Sequence, residues 1–202
     1  MREEDFKRNY KAIVIGGSAG SFQVLSHIFN KIPHDFPLPI IICCHRLKDI
    51  RNGFTEALAL KSLKIIEEPD DKEKIKMGKV YLAPANYHMS VELGHSFSLT
   101  TEEMYNSSRP SIDITFETAA YTYKDKLIGI LLTGANKDGA LGMKSVKKMG
   151  GLTIVQDPAE CAVQTMPKAA LSITTIDHIL NTEQIIRFFL QLYKYQSNEK
   201  TM

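Results

Sequence analysis

Three polar residues with the chemistry of a hydrolase each follow an apolar segment of this sequence: Ser18, His45 and Asp138. A serine hydroxyl group becomes an effective nucleophile when a histidine accepts its proton and a carboxylate holds that histidine in one tautomer. Backbone N–H groups near the serine can stabilise the oxyanion that forms when the hydroxyl group attacks a carbonyl carbon. These residue types therefore indicate acyl transfer, such as hydrolysis of an ester, which requires no metal ion and no organic cofactor.

The serine lies in the sequence G-G-S-A-G at residues 16–20, between an apolar run and a segment with helical periodicity. A G-x-S-x-G pattern at a strand-to-helix turn is typical of a nucleophile elbow. A glycine-rich helix start that binds phosphate is the alternative interpretation. A dinucleotide site requires G-x-G-x-x-G, however, and Ser18 and Ser21 occupy the third and sixth positions. The pattern therefore favours a nucleophile over a nucleotide site.

His45 and Asp138 each have a structural explanation when taken alone, because a histidine past a strand can be a structural hydrogen-bonding group and Asp-Gly often forms a turn or a helix N-cap. The carboxyl ends of parallel strands meet at one edge of a sheet, where ligands bind in open α/β folds. We therefore expect both side chains to lie near Ser18. A Cys44–His45 catalytic pair is disfavoured, since adjacent strand residues point to opposite faces.

The elements that would position these residues alternate along the chain. Apolar runs predict buried strands at residues 11–15, 39–44, 80–83, 127–132 and 153–155, with a poorer candidate at 63–66. Helical periodicity is present at 22–32, 54–63, 112–120 and 182–195. Residues 88–93 and 96–99 flank Gly94 and predict a β-hairpin. The alternation predicts a three-layer, doubly wound α/β fold with a mainly parallel sheet and one hairpin.

Composition restricts the class of protein. The 202 residues suit one domain, which we expect at 11–195, after an N-terminal extension at 1–10 and before a frayed tail at 196–202. The net charge of +2 gives no support for nucleic acid as a partner. No stretch approaches the roughly 20 apolar residues of a membrane span, and the first ten residues lack the apolar segment of a signal peptide. Three cysteines without CxxC spacing disfavour a zinc site and favour the reducing cytoplasm.

Over roughly residues 11–180 the sequence resembles the catalytic domain of the CheB-type chemotaxis methylesterases. The motifs that carry the resemblance are IGGSAGS, IICCHR, VYLAPANYHMSV, SSRPSID, LLTGANKDGALG and VQDPAECAVQTMPKAA, in this order. The family's catalytic serine, histidine and aspartate correspond to Ser18, His45 and Asp138. The resemblance implies the CheB C-terminal domain fold, with methylated chemoreceptor helices as the partner. It also implies hydrolysis of glutamate methyl esters and deamidation of selected glutamines.

The sequence departs from the family pattern near the proposed site. Ala19 replaces the usual threonine, Ser21 replaces a glycine, and Ala135-Asn136 replaces Met-Gly. Ala19, Ala135 and Asn136 are the candidates for the oxyanion and substrate site. Backbone donors survive such replacements, but the departures leave open an alternative function, a catalytically weakened docking module of a signalling pathway.

The remaining polar residues and the control of the site leave further alternatives. Arg109 could clamp an acidic receptor segment or the carboxylate product, or could be a solvated charge. His88 and His95 are predicted to be structural, and Tyr87 and Met89 to be packing residues. Family members usually carry an N-terminal receiver domain, for which only about ten residues precede the first strand here. We therefore expect constitutive activity, control by a separate response-regulator partner, or a chain cut from a longer polypeptide.

Overall fold

The computed structural model describes residues 1–45, 53–60, 62 and 64–198. In chain order the elements are α1 (Glu4–Lys7), β1 (Ala12–Gly17), α2 (Ser21–Phe29), β2 (Ile40–Cys44), α3 (Gly53–Leu60), β3 (Ile66–Glu67), β4 (Val80–Leu82), β5 (His88–Val91), β6 (Phe97–Thr100), α4 (Ile112–Tyr123), β7 (Leu127–Leu131), α5 (Ala140–Lys148), β8 (Leu152–Gln156), α6 (Thr165–Ile173), β9 (His178–Leu180) and α7 (Thr182–Asn198). A short 3-10 turn, Lys124–Lys126, joins α4 to β7.

Seven strands form one parallel sheet in the order β3-β4-β2-β1-β7-β8-β9. From β1 the chain adds β2, then the edge strand β3 and, between these two, β4, before it crosses to build the other side with β7, β8 and β9. This reversal makes β1 the topological switch point, where open α/β sheets bind ligands beyond the carboxyl ends of the strands. Gly17, the last residue of β1, pairs with Cys44 of β2. Ser18 and His45 therefore leave the sheet side by side.

The sheet is covered on both faces, which explains the uninterrupted apolar runs of its strands. In β1, Ile13 and Ile15 pack into the core beneath α2 and α7, whereas Ala12 and Val14 pack into the core beneath α4, α5 and α6. All six residues of β1 are buried. The predicted three-layer, doubly wound fold is confirmed.

The predicted hairpin is present as β5 and β6, which form a two-stranded antiparallel sheet of their own. It packs against α4 and is joined to it by hydrogen bonds. The Thr115 hydroxyl group donates to the Met89 carbonyl oxygen (2.7 Å), and the Val91 amide donates to the Thr118 hydroxyl oxygen (3.0 Å). The hairpin therefore supports the helix whose first turn reaches the site.

Element boundaries differ from the sequence predictions mainly at short or exposed segments. The strand predicted at 63–66 begins only at Ile66, and α3 ends at Leu60 where the helix was predicted to continue to 63; residues 61 and 63 lie outside the described residues. The edge strand β9 was not predicted, because it has only three residues, of which His178 and Ile179 are not buried.

Parts of the predicted N-terminal extension and C-terminal tail are helical. Residues 1–10 contain α1, and Phe6 and Tyr10 are buried in the core. The Phe6 ring lies 5.5 Å from that of Phe188 in α7. Helix α7 continues to Asn198, and the rest of the predicted tail lies outside the described residues. None of the helices that the structure describes is long and apolar enough to cross a membrane.

Candidate active site

The turn that carries Ser18 is held by hydrogen bonds on both sides. The Ser18 amide donates to the carbonyl oxygen of Thr133 in the loop after β7 (2.9 Å), and the Ser21 hydroxyl group donates to the Ser18 carbonyl oxygen (2.7 Å). Gly20 has φ of +84°, and a Cβ atom there would lie 2.7 Å from the Cβ of Ala162. The tight turn therefore requires glycine at position 20, and it leaves Ser18 partly exposed at the sheet edge.

His45 follows the last residue of β2, and its amide donates to the Gly17 carbonyl oxygen (3.2 Å). Its ring Nε2 lies 2.8 Å from Oδ2 of Asp138, and the side chain is 15% exposed. A histidine bound to a carboxylate through one ring nitrogen has that nitrogen protonated, so the other nitrogen is free to accept a proton. In His45 the nitrogen available as a base is Nδ1.

Asp138 is fully buried, and its carboxylate lies on the first turn of α4. It accepts hydrogen bonds from the Ser111 hydroxyl group (3.0 Å), from the amide of Ile112 (2.7 Å) and from the amide of Asp113 (3.0 Å). Burial acts to raise the pKa of the Asp138 carboxyl group, but the bonds from His45 and from these two amides outweigh it and hold the pKa below its ordinary value. Asp138 is therefore ionised at neutral pH.

A hydrogen bond joins His45 directly to Asp138, and Ser18 follows the end of the neighbouring strand, β1. Among the described residues, the Ser18 hydroxyl group makes no hydrogen bond, although Ser18 and His45 directly follow the paired residues Gly17 and Cys44. Catalytic hydrogen bonds are often long in unliganded enzymes and shorten when the substrate binds. Ser18 and His45 therefore lie at the ends of adjacent parallel strands, the arrangement from which a serine could pass its proton to a histidine when a substrate binds.

The three oxyanion and substrate candidates lie on the two loops that flank Ser18. Ala19 and Ala135 are exposed and Asn136 is half-buried. In the part of the chain that the structure describes, no hydrogen bond uses the backbone amides of these three residues. The Asn136 side chain accepts from the Asp138 amide (3.1 Å) and so supports the loop that carries Asp138. The loops can therefore offer backbone donors to a developing negative charge.

Arg109 is used within the protein. Its guanidinium group donates through Nε and Nη2 to the side-chain oxygen of Asn86 (3.2 and 2.8 Å) and through Nη1 to the carbonyl oxygens of Thr101 and Glu102 (2.5 and 2.7 Å). These contacts tie the loop before α4 to two preceding segments. They favour a loop-bracing role over the binding of an acidic segment or a carboxylate product.

The supporting residues around Asp138 were not identified from the sequence as a group. His88, which is 2% exposed, binds the Glu103 carbonyl oxygen through Nε2 (2.9 Å) and accepts the Ser111 amide at Nδ1 (3.2 Å). This buried, hydrogen-bonded position agrees with the structural role predicted for His88. The signal that could have revealed the group is the SSRPSID motif, which contains both Ser111 and Asp113.

Among the described residues, the remaining sequence candidates share no hydrogen bond with Ser18, His45 or Asp138. His95 is exposed, with its ring 5.0 Å from that of Tyr123. Met89 is fully buried, as expected of a packing residue, whereas Tyr87 is 40% exposed. Within the described ranges no group of three or more His, Cys, Asp or Glu side chains could hold a metal ion. The candidate site therefore consists of the polar side chains that follow β1, β2 and β7 at the carboxyl edge of the sheet.

Comparison with known proteins gives a consistent result. A family model described as CheB methylesterase matches residues 13–189. A protein of Leptospira interrogans is 45% identical over 91% of this chain and 95% of its own length. The protein-glutamate methylesterase/protein-glutamine glutaminase of Thermotoga maritima is 34% identical over 90% of this chain, which spans 54% of that relative. The crystal structure of the Thermotoga maritima CheB methylesterase catalytic domain superposes with a TM-score of 0.86 at 32% identity, covering 92% of this chain and 100% of that one.

Proposed function

Because this chain belongs to the CheB methylesterase family, we propose that it hydrolyses methyl esters of glutamate side chains on chemoreceptor helices, with Ser18 as nucleophile, His45 as base and Asp138 as orienting acid. The single observation that carries the residue assignment is the 2.8 Å bond between His45 and the buried Asp138 beside the Ser18 turn. The same site would deamidate selected glutamines. Both reactions would take place on the cytoplasmic part of a chemoreceptor, whose methylated helices are the binding partner of this protein.

In the first half of the reaction the Ser18 Oγ attacks the carbonyl carbon of the side-chain ester. His45 accepts the hydroxyl proton at Nδ1 while Asp138 stabilises the imidazolium ion. Collapse of the tetrahedral intermediate breaks the bond to the methoxy group, which leaves as methanol with the proton held by His45. The product of this half is an ester between Ser18 and the glutamate side chain.

In the second half a water molecule attacks the carbonyl carbon of the acyl-enzyme and gives a proton to His45. The second tetrahedral intermediate collapses, the bond to Ser18 Oγ breaks, and the serine takes back the proton from His45. The receptor leaves with a glutamate carboxylate. With a glutamine side chain as substrate the leaving group of the first half is ammonia, and the second half is unchanged.

Backbone amides on the two flanking loops stabilise both oxyanions. The amide of Ala19 follows the nucleophile directly, as the first donor of an oxyanion hole does in enzymes with a nucleophile elbow. The second donor comes from the loop of Ala135 and Asn136. The exposure of Ala19 and Ala135 and the unused amides of all three residues support this role. Since the donors are backbone groups, the alanines at 19 and 135 retain them.

Labelling with a fluorophosphonate distinguishes this hydrolase from a docking module with the same fold. Only a serine activated by its base reacts rapidly, so mass spectrometry of the labelled protein should find the adduct on Ser18 and none in Ser18→Ala. Ser172→Ala, at an exposed serine of α6, is the matched control and should label as the wild type does. A folded wild-type protein that does not label would favour the docking module.

A further inference from the structure

Asp113 places a second buried carboxylate next to Asp138, on the second residue of α4. Its side chain is almost fully buried, at 3% exposure for the residue. Its Oδ1 accepts hydrogen bonds from the amides of Gly139 (2.8 Å) and Gly142 (2.7 Å), and its Oδ2 accepts one from the side-chain amide of Asn106 (3.0 Å). Gly139 directly follows Asp138, so Asp113 binds the backbone that carries the orienting acid.

Each of the two carboxylates binds the start of the helix to which the other is adjacent, an arrangement that we call the carboxylate exchange. Asp138 precedes α5 but accepts amides from the start of α4, whereas Asp113 lies in α4 but accepts amides from the start of α5. Gly139 is the N-cap of α5 and has no side chain that could cap the helix itself. Each helix start is therefore stabilised by a carboxylate of the other segment, at the end where negative charge is favourable.

Close packing fixes this exchange. A Cβ atom at Gly142 would lie 2.5 Å from the Cβ of Phe116 and 3.3 Å from the Cα of Asp113. A Cβ atom at Gly139 would lie 2.8 Å from the Cγ2 of Ile112. The starts of α4 and α5 thus approach at positions where no side chain fits between them. A shift of the Asp113 carboxylate would be transmitted to the loop that holds Asp138.

We propose that Asp113 is a positioning residue of the site: its carboxylate fixes the Gly139 and Gly142 amides and thereby holds the Asp138 carboxylate in place under His45. It acts through Asp138 and does not itself touch the reacting atoms. This inference rests on the proposed function for its catalytic consequence, whereas the hydrogen bonds that define it can be tested without any activity.

The charge of Asp113 bears on the pH dependence of the site. Burial raises the pKa of its carboxyl group to about 6; the amides of Gly142 and Gly139 oppose the rise and the negative charge of Asp138 adds to it. The pKa of Asp138 is shifted in the opposite direction. Among the described residues, the titratable groups that face Asp113 are Asp138 and Lys137 from the loop before α5, His45 through Asp138, and His88 of β5 through Ser111. A proton that enters the pair in mild acid is therefore held by Asp113, and Asp138 stays ionised.

Kinetics of methanol release from methylated chemoreceptor membranes test the inference with Asp113→Ala and Asp113→Asn. Asp113→Ala should lower kcat by about a hundredfold, the effect of a displacement of about 1 Å in a catalytic group, with KM changed little. Asp113→Asn retains one acceptor oxygen and should lose less. Its acid limb of kcat/KM should lie at lower pH than that of the wild type, because the part of the negative charge that Asp113 carries near pH 6 is gone. Asp125→Asn, at an exposed aspartate, is the matched control and should change neither value.

A folded Asp113→Ala protein with the kcat of the wild type would overturn the inference. A raised KM with unchanged kcat would also overturn it, because Asp113 lines an open groove of about 280 Å³ beside α5 and would then be a substrate contact. If Asp113→Ala does not fold, Asp113→Asn decides: an unchanged kcat together with an unchanged acid limb would contradict the proposed role.

An NMR titration separates this inference from the proposed function. In the wild type the amide signals of Gly139 and Gly142 should titrate together near pH 6, and the Asp138 carboxyl carbon should respond at the same pH. In Asp113→Asn this step should vanish, and it should persist in Asp125→Asn. If the wild type releases no methanol but shows the titration of the glycine amides, the esterase proposal would be wrong and the positioning contact would still stand. Glycine amides that titrate equally in Asp113→Asn would sink the positioning role.

Discussion

The two helices that follow Ser18 and Asp138, α2 and α5, begin with the same backbone conformation but differ in the charge at their N-termini. Gly20 before α2 and Gly139 before α5 both have positive φ, +84° and +93°, and neither provides a side-chain cap. The start of α5 is filled by the carboxylate of Asp113. The start of α2 has no acidic residue in its first turn, and no hydrogen bond among the described residues uses the Ala19 amide.

This difference explains how one edge of the sheet can hold two buried carboxylates and still stabilise the negative charge of an oxyanion. The N-terminus of a helix favours an anion, whether it is a side chain or a developing oxyanion. Asp138 and Asp113 satisfy the starts of α4 and α5, and both carboxylates are buried. Among the described residues, no carboxylate binds the start of α2 beside Ser18, and we call this helix start open in that sense. In our account the filled helix starts position His45 and the open one serves the reaction.

Removal of the negative charge of Asp138, which binds the start of α4, should have the largest effect on the rate among the substitutions that test this comparison. Asp138→Asn keeps the shape of the side chain but presents an amide to His45 and to the α4 donors. The wrong tautomer of His45 should then be favoured, and kcat should fall by about ten-thousandfold. Methanol release measures the change, with Asp125→Asn as control. A retained rate within tenfold of the wild type would mean that Asp138 does not orient the base.

Addition of an acid to the open helix start should have the next largest effect. Ala19→Asp puts a carboxylate beside the proposed oxyanion donor and should lower kcat by about a hundredfold to a thousandfold. The free energy of unfolding should stay the same or rise by about 0.5 kcal/mol, because an acid near a helix N-terminus is favourable. Rate assays and urea unfolding give the two values.

Ala159→Asp adds the same charge at an exposed alanine outside the site and is the matched control for this pair of measurements. The signature of our account is loss of rate without loss of stability in Ala19→Asp alone. An active Ala19→Asp protein would show that the start of α2 does not serve the reaction.

The pH dependence of stability should distinguish the two filled helix starts. The lowered pKa of Asp138 means that its contribution is present above its unfolded value and is lost as pH falls. The raised pKa of Asp113, about 6, has the opposite sign, so its contribution is present in acid and is lost as pH rises from about 4 to about 7. Relative to the wild type, Asp113→Asn should therefore gain up to about 3 kcal/mol of unfolding free energy over this range.

Urea unfolding at pH 4.5 and pH 7 measures this gain, and Asp125→Asn should show none. A constant difference between Asp113→Asn and the wild type at both pH values would contradict the opposite signs that we assign to the two carboxyl groups.

The hydroxyl group at the start of α4 should have the smallest effect of the set. Ser111 caps α4 by accepting the Ile114 amide (3.4 Å) and donates to Asp138 (3.0 Å). Ser111→Ala should cost about 1 kcal/mol of stability through the lost cap. The rate should fall only severalfold, since two amides still hold Asp138. Thermal unfolding and methanol release check both, and Ser172→Ala is the control; a loss of rate as large as that of Asp138→Asn would show that the amides alone cannot hold the carboxylate.

Sequence patterns predicted the central strands because each is buried on both faces and therefore reads as a continuous apolar run. They also predicted that Ser18, His45 and Asp138 follow such strands, since this depends only on strand ends and on parallel topology. The short strand β9 escaped prediction because its three residues give no periodicity.

The supporting bonds of the site could not be predicted in the same way, because they join distant segments. Asp113 and Gly139 are 26 residues apart, and so are Ile112 and Asp138. Neither apolar periodicity nor turn residues indicate which amide a buried carboxylate will bind. The brace formed by Arg109 illustrates the same limit. Its residue type left a choice between an anion clamp and a solvated charge, and only the positions of Asn86, Thr101 and Glu102 reveal its partners.

Methanol release from methylated chemoreceptor membranes, compared between the wild type and Ser18→Ala, tests the central claim most directly. Our account predicts release by the wild type and a loss on the order of a millionfold, in effect to background, in a Ser18→Ala protein with unchanged thermal stability. Equal release by both proteins, or none from either, would contradict the assignment of Ser18 as the nucleophile of a receptor methylesterase.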